Sequence, residues 1–202
     1  MPVPPDPPFA SQRGGGSLPP DNPDEIFDLV DLDDRVIGRV RRGDAHRNPA
    51  LIHRSVQVLV FASDERLVLQ RRSATKDLFP NYFCASASGH LASGEDYAAA
   101  AERELSEELG IAAPLTYLGK VLIRSEPETE MTALYVARSD GPYHFHPTES
   151  AGGRLFPMDE VLDGMVRGTL PMTPALRAAL DELMRLTGES VGGLSGFLTH
   201  VG

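Results

Sequence analysis

Three glutamates in one predicted helix are the residues of this chain best suited to chemistry. The stretch from Asp96 to Leu109 is rich in Ala, Glu and Leu and is followed by Gly110, which predicts a helix with a glycine cap at its C-terminus. At about 100° per residue, Glu104, Glu107 and Glu108 fall beside its apolar face. Each like-charged pair costs a few tenths of a kcal/mol, so helix stability does not require the arrangement. A divalent cation with oxygen ligands would offset the repulsion, and a solvated acidic face is the alternative.

The segment before this helix strengthens the metal hypothesis. Gly89, Gly94 and Glu95 lie in SGHLASGED, where a predicted strand passes through a flexible loop into the acidic helix. Backbone groups and carboxylates would then surround one cleft. Divalent ions held in such a cleft bridge phosphate oxygens and activate water, so the pattern predicts metal-assisted chemistry on phosphate compounds.

These residues also form a 23-residue signature. Gly89, five residues, Glu95, seven residues and then RELSEELGI from Arg103 to Ile111 match the signature of the Nudix hydrolase family without a miss. The chain resembles that family in pattern over roughly residues 27–186. The resemblance implies an α/β fold of the Nudix type, an α/β/α sandwich with a mixed sheet. It also implies hydrolysis of a diphosphate linked to another moiety, with Mg²⁺ or Mn²⁺.

The resemblance further implies a role for each matching residue. The metal ligands would be Glu104, Glu107, Glu108 and the carbonyl of Gly89. Glu107 would be a catalytic base for the attacking water. Glu95 and Arg103 would brace the loop against the helix.

A cluster of cations follows an earlier predicted strand. Arg71, Arg72 and Lys76 lie close together in a chain that is otherwise acidic. Such a cluster could bind the diphosphate of a substrate, because guanidinium and ammonium groups pair strongly with phosphate oxygens. The alternative is a set of solvated charges that raise solubility.

Three histidines and two glutamates suggest a second site. These residues are His46, His53, His90, Glu128 and Glu130. Their spacing resembles that of the His3Glu2 metal site in the type I isopentenyl-diphosphate isomerases, which are built on the Nudix fold. Imidazole with carboxylate suits manganese or zinc better than magnesium alone. Glu130 is, with Glu107, a candidate catalytic residue. Taken singly, each histidine is better explained as a surface residue or as a core residue with its hydrogen bonds satisfied.

The isomerase hypothesis fails at one chemically important position. In those isomerases a proton-transferring cysteine precedes the Gly-His pair, and here that position is Ser88. Cys84 would lie about 13 Å away along one strand, which is too far to replace it. We expect Cys84 to be a small buried core residue. Hydrolysis is therefore the favoured activity, with isomerisation as the alternative.

Composition limits the partners. With 19 Lys and Arg against 29 Asp and Glu, the net charge of −10 repels nucleic acid and anionic lipid. We therefore expect a small-molecule diphosphate as the ligand, with no nucleic acid or membrane partner, and a homodimer is an open alternative to a monomer. A single cysteine and the absence of a long apolar run favour a cytoplasmic protein. A non-catalytic binding module would be expected to lose signature residues, and none is lost.

The elements that must position these residues lie between two segments of biased composition. Residues 1–23 hold eight prolines and a Gly-Gly-Gly run, which predicts a disordered tail. Residues 188–202 hold five glycines and predict a second tail, although its few apolar residues could dock. The single domain is expected over residues 24–187.

Within that domain, short apolar runs alternate with helical patterns. Strands are predicted over 27–32, 36–40, 55–62, 66–70, 83–88, 115–124, 132–137 and near Leu155. Helices are predicted over 96–109, 158–167 and 174–186. Strands and helices in this order indicate a mixed sheet that is covered by helices on both faces.

Overall fold

The computed structural model describes residues 22–76, 78–146, 150–188 and 191–201. The strands within these ranges are β1 (Ile26–Val30), β2 (Val36–Arg41), β3 (His53–Phe61), β4 (Leu67–Arg72), β5 (Phe83–Cys84), β6 (Ala87–His90), β7 (Thr116–Ser125), β8 (Glu128–Arg138) and β9 (Ser150–Phe156). The helices are α1 (Arg42–Ala45), α2 (Tyr97–Leu109), α3 (Met158–Arg167), α4 (Pro174–Leu186) and α5 (Val191–Leu198).

Strand β3 is the centre of the sheet. Along one edge it pairs in parallel with β8, from His53 opposite Glu130 to Phe61 opposite Arg138. Its other edge is shared by three antiparallel strands: β1 at His53, β6 over residues 55–58 and β4 over residues 60–61. Because β6 and β4 meet β3 at different heights, the sheet divides along this edge.

The two faces of β3 pack against different helices. Side chains alternate along a strand, so Val56, Val58 and Val60 share one face and belong to the core that includes Ala101 and Leu105 of α2. Leu59 and Phe61 point the other way, into the core that α3, α4 and α5 complete. The predicted α/β/α sandwich with a mixed sheet is thereby confirmed.

The first half of β3 carries polar side chains on the same face as Leu59 and Phe61. His53, Ser55 and Gln57 are all buried there. Ser55 is satisfied by a hydrogen bond between its hydroxyl and that of Thr132 on β8, at 2.7 Å. One strand face therefore changes from apolar core to polar lining, and this change positions the site.

Helix α2 forms as its sequence predicts. The Asp96 side chain accepts a hydrogen bond from the Ala99 amide at 2.9 Å and so caps the N-terminus. Gly110 ends the helix in the left-handed conformation with φ 66°, which favours glycine. The apolar face buries Leu105 and Leu109. The adjoining glutamates are consequently held at a fixed height above the sheet.

The strand predicted over 83–88 is wrong in one respect, because the structure divides it into β5 and β6. Ser86 lies at the break and is completely buried. Its hydroxyl accepts from the Val60 amide at 2.7 Å and donates to the Val68 carbonyl. It thus satisfies backbone groups of β3 and β4 where the sheet divides.

The predicted tail over 188–202 is also corrected. Helix α5 packs Leu194 and Leu198 into the core beside α4, with Val201 buried after it. The Arg138 guanidinium donates to the Leu198 carbonyl at 2.8 Å and fixes the end of this helix. Glycines lower helix propensity, and here the loss is offset by burial of the apolar residues between them.

The other predicted tail, over 1–23, lies outside the described residues except for Asn22 and Pro23. In the part of the chain that the structure describes, no helix combines the length and apolar character needed to cross a membrane.

The docking of α5 can be tested by a pair of leucine truncations. Leu198→Ala removes a fully buried side chain and should lower the free energy of unfolding by about 2 to 5 kcal/mol. Leu32→Ala, at a side chain that is 64% exposed, should change it by less than about 0.5 kcal/mol. Urea unfolding measures both, and equal midpoints for the two variants would show that α5 does not dock.

Candidate metal centre and active cleft

A single cleft of about 610 Å³ brings most of the predicted site residues together. Its lining includes Glu104, Glu107 and Glu108 of α2, with Gly89 and Arg103, and it also includes His46, His90, Glu128, Glu130, Arg72 and Lys76. The carboxylates of α2 and the histidine cluster are therefore two parts of one site.

Arg103 organises the acidic part. Its guanidinium makes a bidentate pair with the Glu95 carboxylate at 2.9 and 3.0 Å, and it donates to the His90 carbonyl at 3.1 Å. It also donates to Glu104 at 2.6 Å and to Glu107 at 3.4 Å. The hydrogen bonds that Arg103 donates to Glu95 are the main cause that raises the pKa of Arg103, so its charge is permanent. One cation thus ties the loop to the helix and neutralises part of the carboxylate charge.

Glu104 lies directly against the backbone of β6. A Cβ atom placed on Gly89 would be 1.9 Å from Glu104 Oε1, far inside contact distance. Only glycine leaves room for the carboxylate at this point, which gives a steric reason for the glycine in the sequence pattern. The Glu104 side chain and the Gly89 backbone are therefore adjacent at the cleft.

Glu108 is held more firmly than Glu107. The buried Glu108 carboxylate accepts hydrogen bonds through Oε2 from Gln70 Nε2 at 2.8 Å and from the Ser88 amide at 2.9 Å. Gln70 Nε2 also donates to the Ser86 carbonyl at 2.7 Å. Glu107 is exposed, and it accepts a long hydrogen bond from Arg103. Of the three carboxylates, Glu107 is consequently the most accessible to solvent.

The histidine cluster is compact. His46, His53, His90 and Glu128 each offer one ligand atom, and these four atoms lie within 4.8 Å of one another. Glu130 joins the cluster through His90, with its Oε1 3.1 Å from His90 Nε2. The Phe27 ring stacks on the rings of His53 and His90, with centroids 5.2 and 5.1 Å apart, and fixes their planes.

Burial sets the protonation of this cluster. It lowers the pKa of His46 to about 3 and that of His53 to about 4, and repulsion from His90 adds to both shifts. Burial and the nearby charge of Glu130 raise the pKa of Glu128 to about 7. Both imidazoles are therefore neutral at pH 7, which is the form that binds a metal ion.

Unpaired atoms show that the cluster fits a cation. His46 Nε2, His53 Nε2 and Glu128 Oε2 are buried and have no hydrogen-bond partner among the described residues. His46 Nε2 and Glu128 Oε2 lie 3.5 Å apart, beyond the length of a good hydrogen bond. His53 Nδ1 lies 3.4 Å from the Leu51 carbonyl, which can only accept, so the lone pair of this ring is on Nε2. Burying such atoms unpaired costs about 1 to 3 kcal/mol each. A divalent ion with nitrogen and oxygen ligands would satisfy all three.

The predicted cationic cluster is only partly assembled. Arg72 and Lys76 line the cleft. Arg71 is exposed and outside the lining, with its Nε 3.3 Å from the Asn81 carbonyl, since neighbouring strand residues point to opposite faces. The structure therefore does not bring Arg71 to the cleft with the other two cations.

The structure also places residues in the cleft that sequence reasoning missed. The Arg42 NH1 atom lies 3.3 Å from His90 Nδ1 and 3.5 Å from Glu25. No pattern separates it from Arg41, which pairs with Asp24 at the surface. The two buried glutamines at the cleft do leave a signal, because Gln57 interrupts the apolar run of β3 and Gln70 directly follows that of β4. Such polar residues inside strand cores are candidates for a site.

Ser88 and Cys84 both line the cleft. The prediction that Cys84 is a buried core residue is wrong, because it is half-buried in the cleft wall with its Sγ 3.7 Å from the Gln70 carbonyl. The break at Ser86 turns β5 away from the line of β6 and accounts for the difference.

Known proteins resemble this chain in sequence and in fold. The family model described as NUDIX domain matches residues 51–176. A Nocardia farcinica protein named isopentenyl-diphosphate Delta-isomerase is 34% identical, covering 82% of this chain and 98% of the relative. An uncharacterized Nudix hydrolase of Pseudomonas aeruginosa is also 34% identical, covering 78% and 94%. A crystal structure of a Deinococcus radiodurans protein superposes with a TM-score of 0.68 at 28% identity, covering 78% of this chain and 98% of that one.

Metal binding by the histidine cluster can be measured by thermal unfolding. After treatment with a chelator, added Mn²⁺ should raise the unfolding temperature of the wild type, because an ion that binds only the folded state stabilises it. His46→Asn should reduce this increase, because it removes one ligand of the cluster and leaves the carboxylates of α2 unchanged. His144→Asn, at an exposed histidine, is the matched control and should keep it. An undiminished increase in His46→Asn would show that the cluster does not hold the ion.

Proposed function

The chain belongs to the NUDIX domain family, whose hydrolases act on pyrophosphate bonds, and we propose that it is a metal-dependent hydrolase of small organic or nucleoside diphosphate compounds. The observation that carries this proposal is that every residue of the 23-residue signature is present and that its carboxylates line one cleft. Two cations, Arg72 and Lys76, line the same cleft and can bind phosphate oxygens.

The positions of the cleft residues suggest which of them bind the metal ion in this mechanism. Glu104 and Glu108, with the Gly89 carbonyl, would hold Mg²⁺ or Mn²⁺. Arg103 keeps the Glu104 carboxylate in place, and the Ser88 amide does the same for Glu108. The metal would neutralise charge on the diphosphate and polarise its phosphorus. The oxygen of water attacks phosphorus, the bridging P–O bond breaks, and the leaving phosphate keeps the electron pair of that bond.

Glu107 is our candidate for the base in this step. It is the exposed carboxylate of the three, whereas Glu108 is committed to two N–H donors. A carboxylate that is exposed to the cleft and weakly restrained can accept the proton of the attacking water. Arg103, 3.4 Å away, would orient the Glu107 carboxylate.

Isomerisation of a prenyl diphosphate is the second candidate. It is favoured by the compact cluster of His46, His53, His90 and Glu128, with Glu130 beside it, and by the name of the Nocardia farcinica relative. Ser88 argues against it, because a hydroxyl is a far weaker acid than a thiol for proton transfer to carbon. Cys84 lies on a separate strand, β5, and its Sγ is directed at the Gln70 carbonyl. Hydrolysis remains the better supported activity.

Substitution of the signature carboxylates tests the hydrolase proposal. Glu107→Gln keeps the shape of the side chain but cannot accept a proton, so the kcat for the best diphosphate in a substrate panel should fall about 100-fold or more. Glu108→Gln should cause a similar loss by weakening metal binding. Glu102→Gln, at an exposed glutamate of the same helix, should retain the wild-type kcat. Wild-type turnover in both signature variants would contradict the mechanism.

The isomerase alternative has a separate test. Isopentenyl diphosphate is incubated with the wild type and with Ser88→Cys in deuterated water, and deuterium in the recovered lipid is measured by mass spectrometry. We expect no exchange in the wild type beside measurable hydrolysis of other diphosphates. Exchange in the wild type would establish isomerisation instead. Exchange that appears only in Ser88→Cys would show that the cleft accepts the prenyl group and lacks the acid.

A further inference from the structure

Gln57 is a buried amide in the cleft that the proposed mechanism does not use. It lies on β3 between Ser55 and Leu59 on the same strand face, and it is 3% exposed. In the sheet it pairs with Ser88 on one side and with Leu134 on the other. Gln57 and Ser88 both line the cleft. Along β3, Gln57 lies four residues after His53 of the histidine cluster.

The carboxamide of Gln57 lacks an internal partner. Its Oε1 is buried without a hydrogen bond to any of the described residues. Gln70, the other buried glutamine at the cleft, also has an unpaired Oε1, but its Nε2 donates to both Ser86 and Glu108 and so anchors that amide to the protein. A buried polar group that is left unpaired is destabilising, so a retained one indicates a partner that is bound from outside the chain.

We propose that Gln57 is a specificity-determining residue, whose carboxamide hydrogen bonds to an N–H or O–H donor on the organic part of the diphosphate substrate. The inference rests on the proposed hydrolase function and deepens it by defining the chemistry of the group beyond the diphosphate. A hydrocarbon chain at this place would leave the amide buried and unpaired. Sites built to hydrogen-bond a substrate reject analogues that lack the matching group far more strongly than apolar pockets reject an extra group.

The position of the amide supports the substrate class. The carboxylates and cations that would hold the diphosphate lie on α2 and around β4, whereas Gln57 is on the central strand. A ligand that reaches both must carry its donor on the side of the diphosphate that faces β3. Ligands with a hydroxyl or an amino group on a ring next to the diphosphate fit this requirement, and prenyl diphosphates do not.

Binding of analogues that cannot be hydrolysed tests this without turnover. Isothermal titration with Mg²⁺ present compares methylene-bridged adenosine, guanosine, cytidine and uridine diphosphates with the methylene-bridged geranyl analogue. The best nucleoside analogue should bind the wild type about tenfold or more tightly than the geranyl analogue. Gln57→Met keeps the length and apolar volume of the side chain but removes the amide, and it should reduce this ratio about tenfold, mainly by weakening the nucleoside analogue.

Two controls separate recognition from structure and from catalysis. Gln57→Met should unfold at the same or a higher urea concentration than the wild type, because an unpaired amide is replaced by an apolar group. Gln70→Met should lower kcat for every substrate through Glu108 while leaving the ratio of the two Kd values unchanged. In Gln57→Met, kcat for a hydrolysed nucleoside diphosphate should be retained while its KM rises.

The outcomes distinguish the two proposals. An unchanged Kd ratio in Gln57→Met, a lower urea midpoint, or geranyl binding as tight as nucleoside binding in the wild type overturns the role of Gln57. Loss of Mn²⁺ binding in Gln57→Met would also overturn it, by making the amide a metal ligand. Absence of hydrolysis for every diphosphate would overturn the proposed function alone, since the Kd ratio still decides the role of Gln57.

Discussion

The repulsion among the carboxylates of α2 is the constraint around which the site is built. Glu104, Glu107 and Glu108 lie within about one helical turn, and Arg103 from the same helix donates to two of them while it clamps Glu95 in the preceding loop. Glu108 is stabilised separately by Gln70 and the Ser88 amide. The absence of a side chain at Gly89 lets Glu104 lie against β6. These contacts neutralise only part of the negative charge, and the divalent cation of the proposed mechanism would offset the rest.

Strand β3 also determines the geometry of the site, because one of its faces contributes both to the apolar core and to the surroundings of the cleft. Leu59 and Phe61 are buried in the core beneath α4, whereas His53 and Gln57 on the same face are buried beside the cleft. The parallel pairing with β8 brings Glu130 next to His53, and the antiparallel pairing with β6 brings His90 next to Ser55. Residues that are far apart in the sequence thus meet because β6 and β8 both pair with β3 in fixed registers. The rigid core under α4 keeps that register fixed.

Much of this could be predicted from the sequence, and the exceptions have physical reasons. Helices α3 and α4 begin and end where their apolar periodicity predicts. Helix α5 was not predicted, because its glycines disfavour a helix and only packing of Leu194 and Leu198 against the core compensates. The spacing of the signature carboxylates is enough to locate them. Spacing does not show that Arg72 lines the cleft and Arg71 does not, because this depends on which face of β4 meets the cleft. Arg42 was missed since its role comes from a contact with His90, 48 residues further along the chain.

In the proposed function, this cleft with a divalent ion directs water to the phosphorus of a small diphosphate compound. The most direct measurement is hydrolysis of the best panel substrate in water labelled with heavy oxygen, with and without chelator, followed by mass spectrometry of the products. We expect one labelled oxygen atom in a phosphate product per turnover, and no turnover when the chelator is present. Turnover that continues in chelator, or products that carry no label in phosphate, would contradict the account.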